Sequence, residues 1–407
     1  MTMKKLLSIL TLSVLAVACT QKPAQQAASD AWVSDGTVYE LNVRQLTPEG
    51  TFAAAEEHLP LLKELGVDIV WVMPPYPIGE KGRKGSLGSY YAIRDYREVN
   101  PEFGTMEDFQ AFLDKAHGLG LKVILDLVAY HTSPDAAWVT EKPADWYYRD
   151  SLGNTIVEYD WTDIAKLNYA NKDLCAEMAD MIGYWVAKGV DGFRCDVGFQ
   201  VPAEFWTPTI AGLREKAGRP LYWLAEAEVD WMYDAGFDCQ YGWKLYHIFQ
   251  DIVNKKADAD SLARHIQSDY IGAKGNHLTF ITNHDENSWT GTEFQQFGDA
   301  WKALEVLCFT LPGGQPLIYT GQEVGWNKQF EFFEKDITPD WTENEFTGFY
   351  KYLTSLRHDN PALGPEGGYE LVSTADSTIV FKRTLGDNCV TVSAQLTAPW
   401  NYNVSVE

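Results

Sequence analysis

Basic residues are scarce in this chain. Its 33 Lys and Arg against 57 Asp and Glu leave a formal charge of −24. So acidic a surface repels phosphate backbones and anionic headgroups, which argues against nucleic acid or an anionic lipid surface as a partner. Cysteine is scarce too, at six in 407 residues. Beyond Cys19, the remaining Cys175, Cys195, Cys239, Cys308 and Cys389 are far apart, odd in number and set mostly in apolar patterns. That distribution excludes a disulfide framework or a thiolate metal site and reads as buried thiols. Past the N-terminus no apolar run is long enough to cross a bilayer, and no internal repeat is visible. Aromatic residues, by contrast, make up 14% of the chain, a composition compatible with a neutral ligand such as carbohydrate.

The N-terminus reads as an export signal rather than as part of the fold. Lys4 and Lys5 precede an apolar run over 6–18 that is too short to span a bilayer comfortably and ends in small residues. The run Leu15-Ala16-Val17-Ala18-Cys19 resembles a bacterial lipobox, which implies cleavage after residue 18 and lipidation of Cys19. The protein would then be a cell-envelope lipoprotein of the outer membrane or periplasm, held to the membrane by its N-terminal lipid. The alternative is plain export after Ala18. Residues 19–30 are polar and rich in Ala and Gln, as in a tether.

From residue 31 onward strand and helix patterns alternate. Strands are expected at 37–43, 68–73, 121–127, 190–196, 221–226, around Phe237, at 278–283 and at 316–320. Helices are expected at 52–65 with an interruption at Pro60, after a capping-box-like Thr105–Asp108 start, after an Asn171 cap, and at 203–217, 241–253, 299–309 and 343–358. Eight strands alternating with helices are the pattern of a (β/α)8 TIM barrel in the α/β class. Its first part covers 31–131 and its second 171–360. An irregular stretch rich in Trp, Tyr, Asp and Pro interrupts it at 132–170, as a short excursion after the third strand. Residues 361–407 change to Gly/Pro turns and short β-prone runs, expected to form a small antiparallel appendage.

Polar residues collect at the strand ends. The third strand runs Asp126-Leu-Val-Ala-Tyr-His131, and the fourth carries Arg194 and Asp196. The fifth ends at Glu226, and the seventh leads into His284 and Asp285. Side chains two apart on a strand share a face, so Arg194 and Asp196 project together and the guanidinium keeps the carboxylate ionised. Each residue taken singly has a structural explanation: an Arg–Asp pair, a hydrogen-bonded histidine, a helix cap. Apolar strands that all end in ionisable groups are costly unless those groups converge on one polar site at the C-terminal rim.

Three carboxylates with no spacing suited to a zinc or magnesium cage fit glycoside hydrolysis. One carboxylate must attack in its ionised form while another keeps a proton for the leaving oxygen. Arg194 favours Asp196 as the nucleophile. Glu226 follows apolar Trp223-Leu224-Ala225 and lies near that negative charge, so its pKa should be raised as befits an acid.

These four runs, in this order, resemble the motifs of the α-amylase superfamily, glycoside hydrolase family 13, from about Tyr39 to His358. Leu87-Gly-Ser-Tyr-Tyr91-Ala92 through Gly104-Thr105 is similar to the family's loop after the second strand, and Tyr319-Thr-Gly-Gln-Glu323 to the end of its eighth. The resemblance implies Asp196 as nucleophile, Glu226 as general acid/base and Asp285 as a third carboxylate gripping sugar hydroxyls. It further implies that His131, Arg194 and His284 line the subsite of the sugar whose bond is cut, that Tyr91 stacks under its ring, and that Asp126 braces Arg194. The substrate would be an α-1,4 or α-1,6 glucan or a malto-oligosaccharide, with retention of configuration. A transglycosylase or isomerase on the same scaffold, or a non-catalytic glucan-binding lipoprotein, are the alternatives.

Three departures from the family pattern stand out. Tyr130 replaces the asparagine that usually binds a structural calcium before the histidine, and Lys166 replaces an aspartate in the run Ala165-Lys166-Leu167-Asn168. The C-terminal appendage is shorter than usual. The family calcium is therefore expected to be absent, leaving no cofactor and no metal. Ala92 stands near the position where chain-end-trimming relatives carry an aspartate, which leads to the expectation of an open cleft and internal cleavage.

Overall fold

The computed structural model describes residues 30–407. The leader, Cys19 and nearly all of the tether lie outside the described residues. Eight parallel strands close into a barrel: β1 (Val38–Leu41), β2 (Ile69–Val72), β3 (Lys122–Leu127), β6 (Gly192–Cys195), β7 (Tyr222–Ala225), β8 (Cys239–Tyr241), β9 (Asn276–Thr279) and β10 (Gly314–Tyr319). β1 meets both β2 and β10, which completes the ring. Nearly every barrel-strand residue is buried, as required when helices cover a sheet whose other face fills the barrel.

The principal covering helices are α1 (Phe52–Leu65), α2 (Met106–Gly118), α3 (Lys172–Ala187), α4 (Ala203–Ala217), α5 (Trp243–Val253), α6 (Ala259–His265), α7 (Trp301–Thr310) and α8 (Glu345–Asp359). Local chemistry sets their starts. Thr105 and Asp108 form the full capping box of α2, and the Asn171 carboxamide caps α3 by accepting from the N–H groups of Asp173 and Leu174. Pro60 does not interrupt α1. It sits on the half-exposed side, where the carbonyl that loses its partner remains near water, and the helix runs through.

The strand bounds of β8 and β9 differ from the sequence expectation in ways that bear on the rim. Phe237 packs edge-on against Trp206 and Trp223 instead of joining the sheet, so β8 starts two residues later at Cys239. β9 begins earlier, with Asn276 and His277 pairing opposite Cys239 and Gln240, and stops at Thr279. Phe280 to Asn283 therefore belong to the loop that delivers His284 and Asp285, not to the strand.

Between β3 and α3 the chain makes its excursion, tied at the base by a two-stranded ladder of β4 (His131–Thr132) and β5 (Ala165–Lys166). At the far end, β11 (Gly368–Ser373), β12 (Thr378–Leu385), β13 (Asn388–Gln395) and β14 (Asn401–Val406) form an antiparallel sheet. It packs on α7, whose residues are all buried except Lys302 because the helix lies between barrel and sheet. The buried Arg383 ties the two layers, donating to the carbonyls of Thr310, at 3.0 Å, and Gly364, at 2.8 Å. The described cysteines are all free thiols: Cys195, Cys239 and Cys308 are buried, while Cys175 and Cys389 are only half-buried. Among the described residues no helix is long and apolar enough to cross a membrane.

Candidate active site

Asp196 and Glu226 each stand one residue beyond a strand, after β6 and β7. Their backbone N–H groups still continue the ladder, to the carbonyls of Leu127 and Cys195, both at 3.0 Å. Regular parallel pairing therefore carries both carboxylates to the same rim. Behind them Asp126 and Arg194 are register partners on β3 and β6, and both are fully buried.

Arg194 is the hub. Its Nη1 lies 2.9 Å from Asp126 and 3.0 Å from Asp196, while Nη2 donates to Glu226 Oε2 at 2.7 Å. Nε donates to the Tyr241 hydroxyl at 3.1 Å. Trp71, Tyr241 and Tyr91 surround the guanidinium with ring centroids 5.1, 5.5 and 5.7 Å away, which favours a cation in a dry place. Two of its fork nitrogens thus reach two carboxylates on neighbouring strand ends. The sequence suggested service to Asp196 alone; the planar fork serves Glu226 as well.

Electrostatics follow from burial against this shared charge. Burial raises the Asp196 pKa to about 6, Arg194 opposing it and Asp126 and Asp285 adding to it. Burial raises Glu226 further, to about 7, again opposed by Arg194 and reinforced by Asp196 and Asp285. The order matches the sequence argument, but both groups are raised and the gap is small because they share one cation. Asp126 is likewise pushed up to about 6 by burial against the pull of Arg194 and His284.

Val197 follows Asp196 with φ 36° and ψ 44°, a left-handed conformation rarely adopted by a β-branched residue. Strain of this kind costs about 1–3 kcal/mol and gathers at functional sites. Here it turns the Val197 N–H onto Glu226 Oε2 at 2.9 Å.

His284 and Asp285 arrive on the loop after β9. The Asn283 side chain accepts from the N–H groups of Asp285 and Glu286, which fixes the turn. His284 Nδ1 meets Glu40 at 2.5 Å, and its Nε2 meets the Tyr91 hydroxyl at 2.8 Å and Asp285 at 3.4 Å. Burial lowers the imidazole pKa, but Asp285 and Glu40 outweigh it and bring the group up to about 9. Tyr91 also donates to Asp126 at 3.1 Å. His131 pairs through Nε2 with the Tyr91 carbonyl at 3.1 Å, and burial lowers its pKa to about 4, so it is neutral at ordinary pH.

Tyr91, His131, Asp196, Glu226, His284 and Asp285 all line one cleft of about 570 Å³, with Asp126 and Arg194 beneath them. All the site residues singled out in the described part of the chain are therefore brought together; Cys19 is not described. Sequence reasoning missed Glu40, a carboxylate buried inside apolar β1 that the strand-charge rule could have found. It also missed the aromatic wall of Trp161, Trp289, Phe332 and Phe333, which no local pattern announces.

The Tyr130–Lys166 region does not fit a divalent cation. Lys166 Nζ lies 2.7 Å from Glu158 Oε2, the same oxygen that accepts from the Tyr130 hydroxyl, and it sits over the Tyr130 ring at 5.0 Å. An ammonium and a phenol converge there on a single carboxylate, whereas calcium needs several oxygen ligands. Among the described residues no group of three or more His, Cys, Asp or Glu is arranged to hold a metal.

Replacing Arg194 by Leu strands buried carboxylates without a counter-charge. The variant should lose about 3–5 kcal/mol of stability near neutral pH. The deficit should shrink toward pH 5, as carboxyls with raised pKa values take up protons. Denaturant unfolding at the two pH values checks this, and an equal deficit at both would contradict the shared-charge account.

Comparison with known proteins finds related sequences and a related fold. A family model described as the catalytic domain of alpha amylase matches residues 25–212. The alpha-amylase MalA of Haloarcula japonica is 29% identical over 89% of this chain and 55% of its own. An alpha-1,4-glucan:maltose-1-phosphate maltosyltransferase of Salinibacter ruber is 27% identical over 91% of this chain and 60% of its own. The chain thus spans little more than half the length of these curated relatives. The crystal structure of an alpha-amylase from Lactobacillus plantarum superposes with a TM-score of 0.80 at 29% identity, covering 89% of each chain. With its closed barrel and carboxylate-bearing strand ends, the chain is similar over residues 25–212 to the alpha-amylase catalytic domain and over most of its length to a solved alpha-amylase.

Proposed function

We propose that the protein is a retaining α-glucan hydrolase acting on α-1,4 or α-1,6 linkages. The observation that carries this reading is the Arg194 fork, which holds two carboxylates on adjacent strand ends. That arrangement suits the short carboxyl separation, roughly 5–5.5 Å, of retaining glycosidases better than the wider gap that admits a water. In the first step the Asp196 carboxylate attacks the anomeric carbon, and the departing oxygen takes the proton of Glu226. In the second, Glu226 accepts a proton from water, whose oxygen attacks the same carbon and releases Asp196. Asp285 and the charged His284 grip sugar hydroxyls as positive charge builds on the ring. Burial raises Glu226 above Asp196, so the acid holds its proton where the nucleophile has lost one.

The activity should follow a narrow bell. The value of kcat/KM rises as Asp196 ionises near pH 6 and falls as Glu226 deprotonates near pH 7, the two titrating as a coupled pair. Proton NMR of maltoheptaose hydrolysis in that window should show the α-anomer first; a β-anomer first would overturn the mechanism. The similarity to a maltosyltransferase supports a second reading, interception of the covalent intermediate by a sugar. Products longer than the substrate in the same reaction would favour it.

We also propose that no calcium is needed between barrel and excursion. Lys166 supports this, because its ammonium supplies on Glu158 the positive charge that a cation would bring. The thermal unfolding midpoint should not move with excess EDTA. A drop that calcium restores and Lys166→Ala abolishes would contradict the reading.

Export and lipidation at Cys19, with the enzyme tethered at the cell envelope, rest on the lipobox-like run. In a bacterial host the wild type should fractionate with membranes and Cys19→Ser with the soluble material. Identical fractionation of the two would contradict the anchor.

A further inference from the structure

The sequence points to Ala92 as leaving the cleft open, but Ala92 is buried and forms no part of its lining. The wall comes from elsewhere. Residues 79–88, in the loop after β2, form a strap attached on two sides. Toward the excursion, Gly82 lies against Thr162, so close that a Cβ there would stand 2.8 Å from its carbonyl oxygen. On the same side Lys84 Nζ donates to the Asp160 carbonyl at 3.1 Å and pairs with Asp163 at 3.7 Å. Toward the loop after β10, the Ser86 N–H donates to Glu334 at 2.7 Å and the Leu87 N–H to the Phe333 carbonyl at 3.1 Å. Gly85 presses on Phe333: a Cβ would stand 2.5 Å from that residue's own Cβ.

This is a built wall rather than a mobile lid. Beneath it the buried Arg44 donates to the carbonyls of Gly88 and Phe332, at 3.1 and 3.3 Å. Gln45 holds the carbonyls of Glu331 and Glu334, at 3.1 and 2.9 Å. Lys84 itself reaches from the excursion to the opposite loop, with Nζ 6.0 Å from the Phe333 ring.

The wall lies on one side of the reaction centre. Phe332 is nearly parallel to Tyr91, at 6.3 Å and 14°, and Phe333 adjoins Phe332 at 5.1 Å. The strap and the loop that carries Phe332 and Phe333 rise from β2 and β10, which flank β1 in the closed ring. Across the ring from β1 stands β7, which leads into Glu226, so the leaving group departs from the other side, where Glu226 holds the proton it needs. The strap faces the portion of the sugar chain retained on Asp196.

We propose that the Lys84 strap closes the cleft on the side away from Glu226, so that the enzyme engages glucans by their non-reducing end and releases a short product of fixed length. The inference rests on the hydrolytic reading above and names its substrate class: glucan chain ends rather than chain interiors. Lys84 and Phe333 act as specificity residues by occupying the space that a continuing chain would need.

The test compares maltoheptaose with maltoheptaose whose non-reducing end carries an ethylidene block. The wild type should hydrolyse the free substrate to one short product at the earliest times and the blocked one about a hundredfold more slowly. Lys84→Ala should narrow that ratio to about tenfold or less and broaden the products. Glu334→Ala, which frees Ser86 from the outer side, should narrow it in the same direction. Equal wild-type rates on both substrates, or mixed product lengths from the start, would overturn the closed end while leaving hydrolysis standing. A ratio that neither variant moves would show that the strap is not the barrier. Hydrolysis of neither substrate by a folded wild type would overturn the hydrolytic reading and this inference together.

Discussion

One buried guanidinium sets the terms for the site. Arg194 lies at the end of a barrel strand with no exposed surface, and it meets Asp126, Asp196 and Glu226 at once. Three carboxylates could not share this volume without it, since each would take up a proton to escape burial. With it, the two at the rim keep raised but ordered pKa values, and Asp126 stays behind as the brace. The aromatic collar of Trp71, Tyr91 and Tyr241 keeps the cation dry and fixes its plane. A second charged centre repeats the device nearby, where Glu40 and Asp285 hold His284 protonated.

The barrel supplies direction, and on the reading proposed above the loops supply selectivity. Parallel register delivers Asp196 and Glu226 to one rim through ordinary ladder bonds, and local strain at Val197 makes the final turn toward Glu226. The strap, the excursion and the loop after β10 are then joined to each other over that rim. A short excursion can serve as a wall here because Lys84 and Gly82 bind it to the neighbouring loop. On this account, chemistry and chain-end choice are encoded in separate parts of the fold.

The barrel and the strand-end residues were legible in the sequence because both follow local rules. Apolar runs that end in charge are costly unless the charges converge, and this logic found Asp126, Arg194, Asp196 and Glu226. The same logic applies to Glu40, buried in the middle of β1, where the charge sits inside the run rather than at its end. The strap was not legible. Lys84 reaches Asp160 across 76 positions, and Ser86 reaches Glu334 across 248. No periodicity encodes contacts of that span, and Ala92, the nearby residue the sequence made conspicuous, is buried away from the cleft. The pKa separation was legible in direction only, since a sequence does not reveal that one fork serves both carboxylates.

On the proposed mechanism Asp196, which gives up its proton before Glu226 although both share the Arg194 fork, is the attacking carboxylate. A slow fluorinated glycosyl donor that accumulates the covalent intermediate, followed by peptide mapping by mass spectrometry, tests it directly. The account predicts a stoichiometric sugar label on the peptide containing Asp196 and loss of that label in Asp196→Asn. A label on Glu226, or turnover of the donor with no labelled carboxylate at any time, would contradict it.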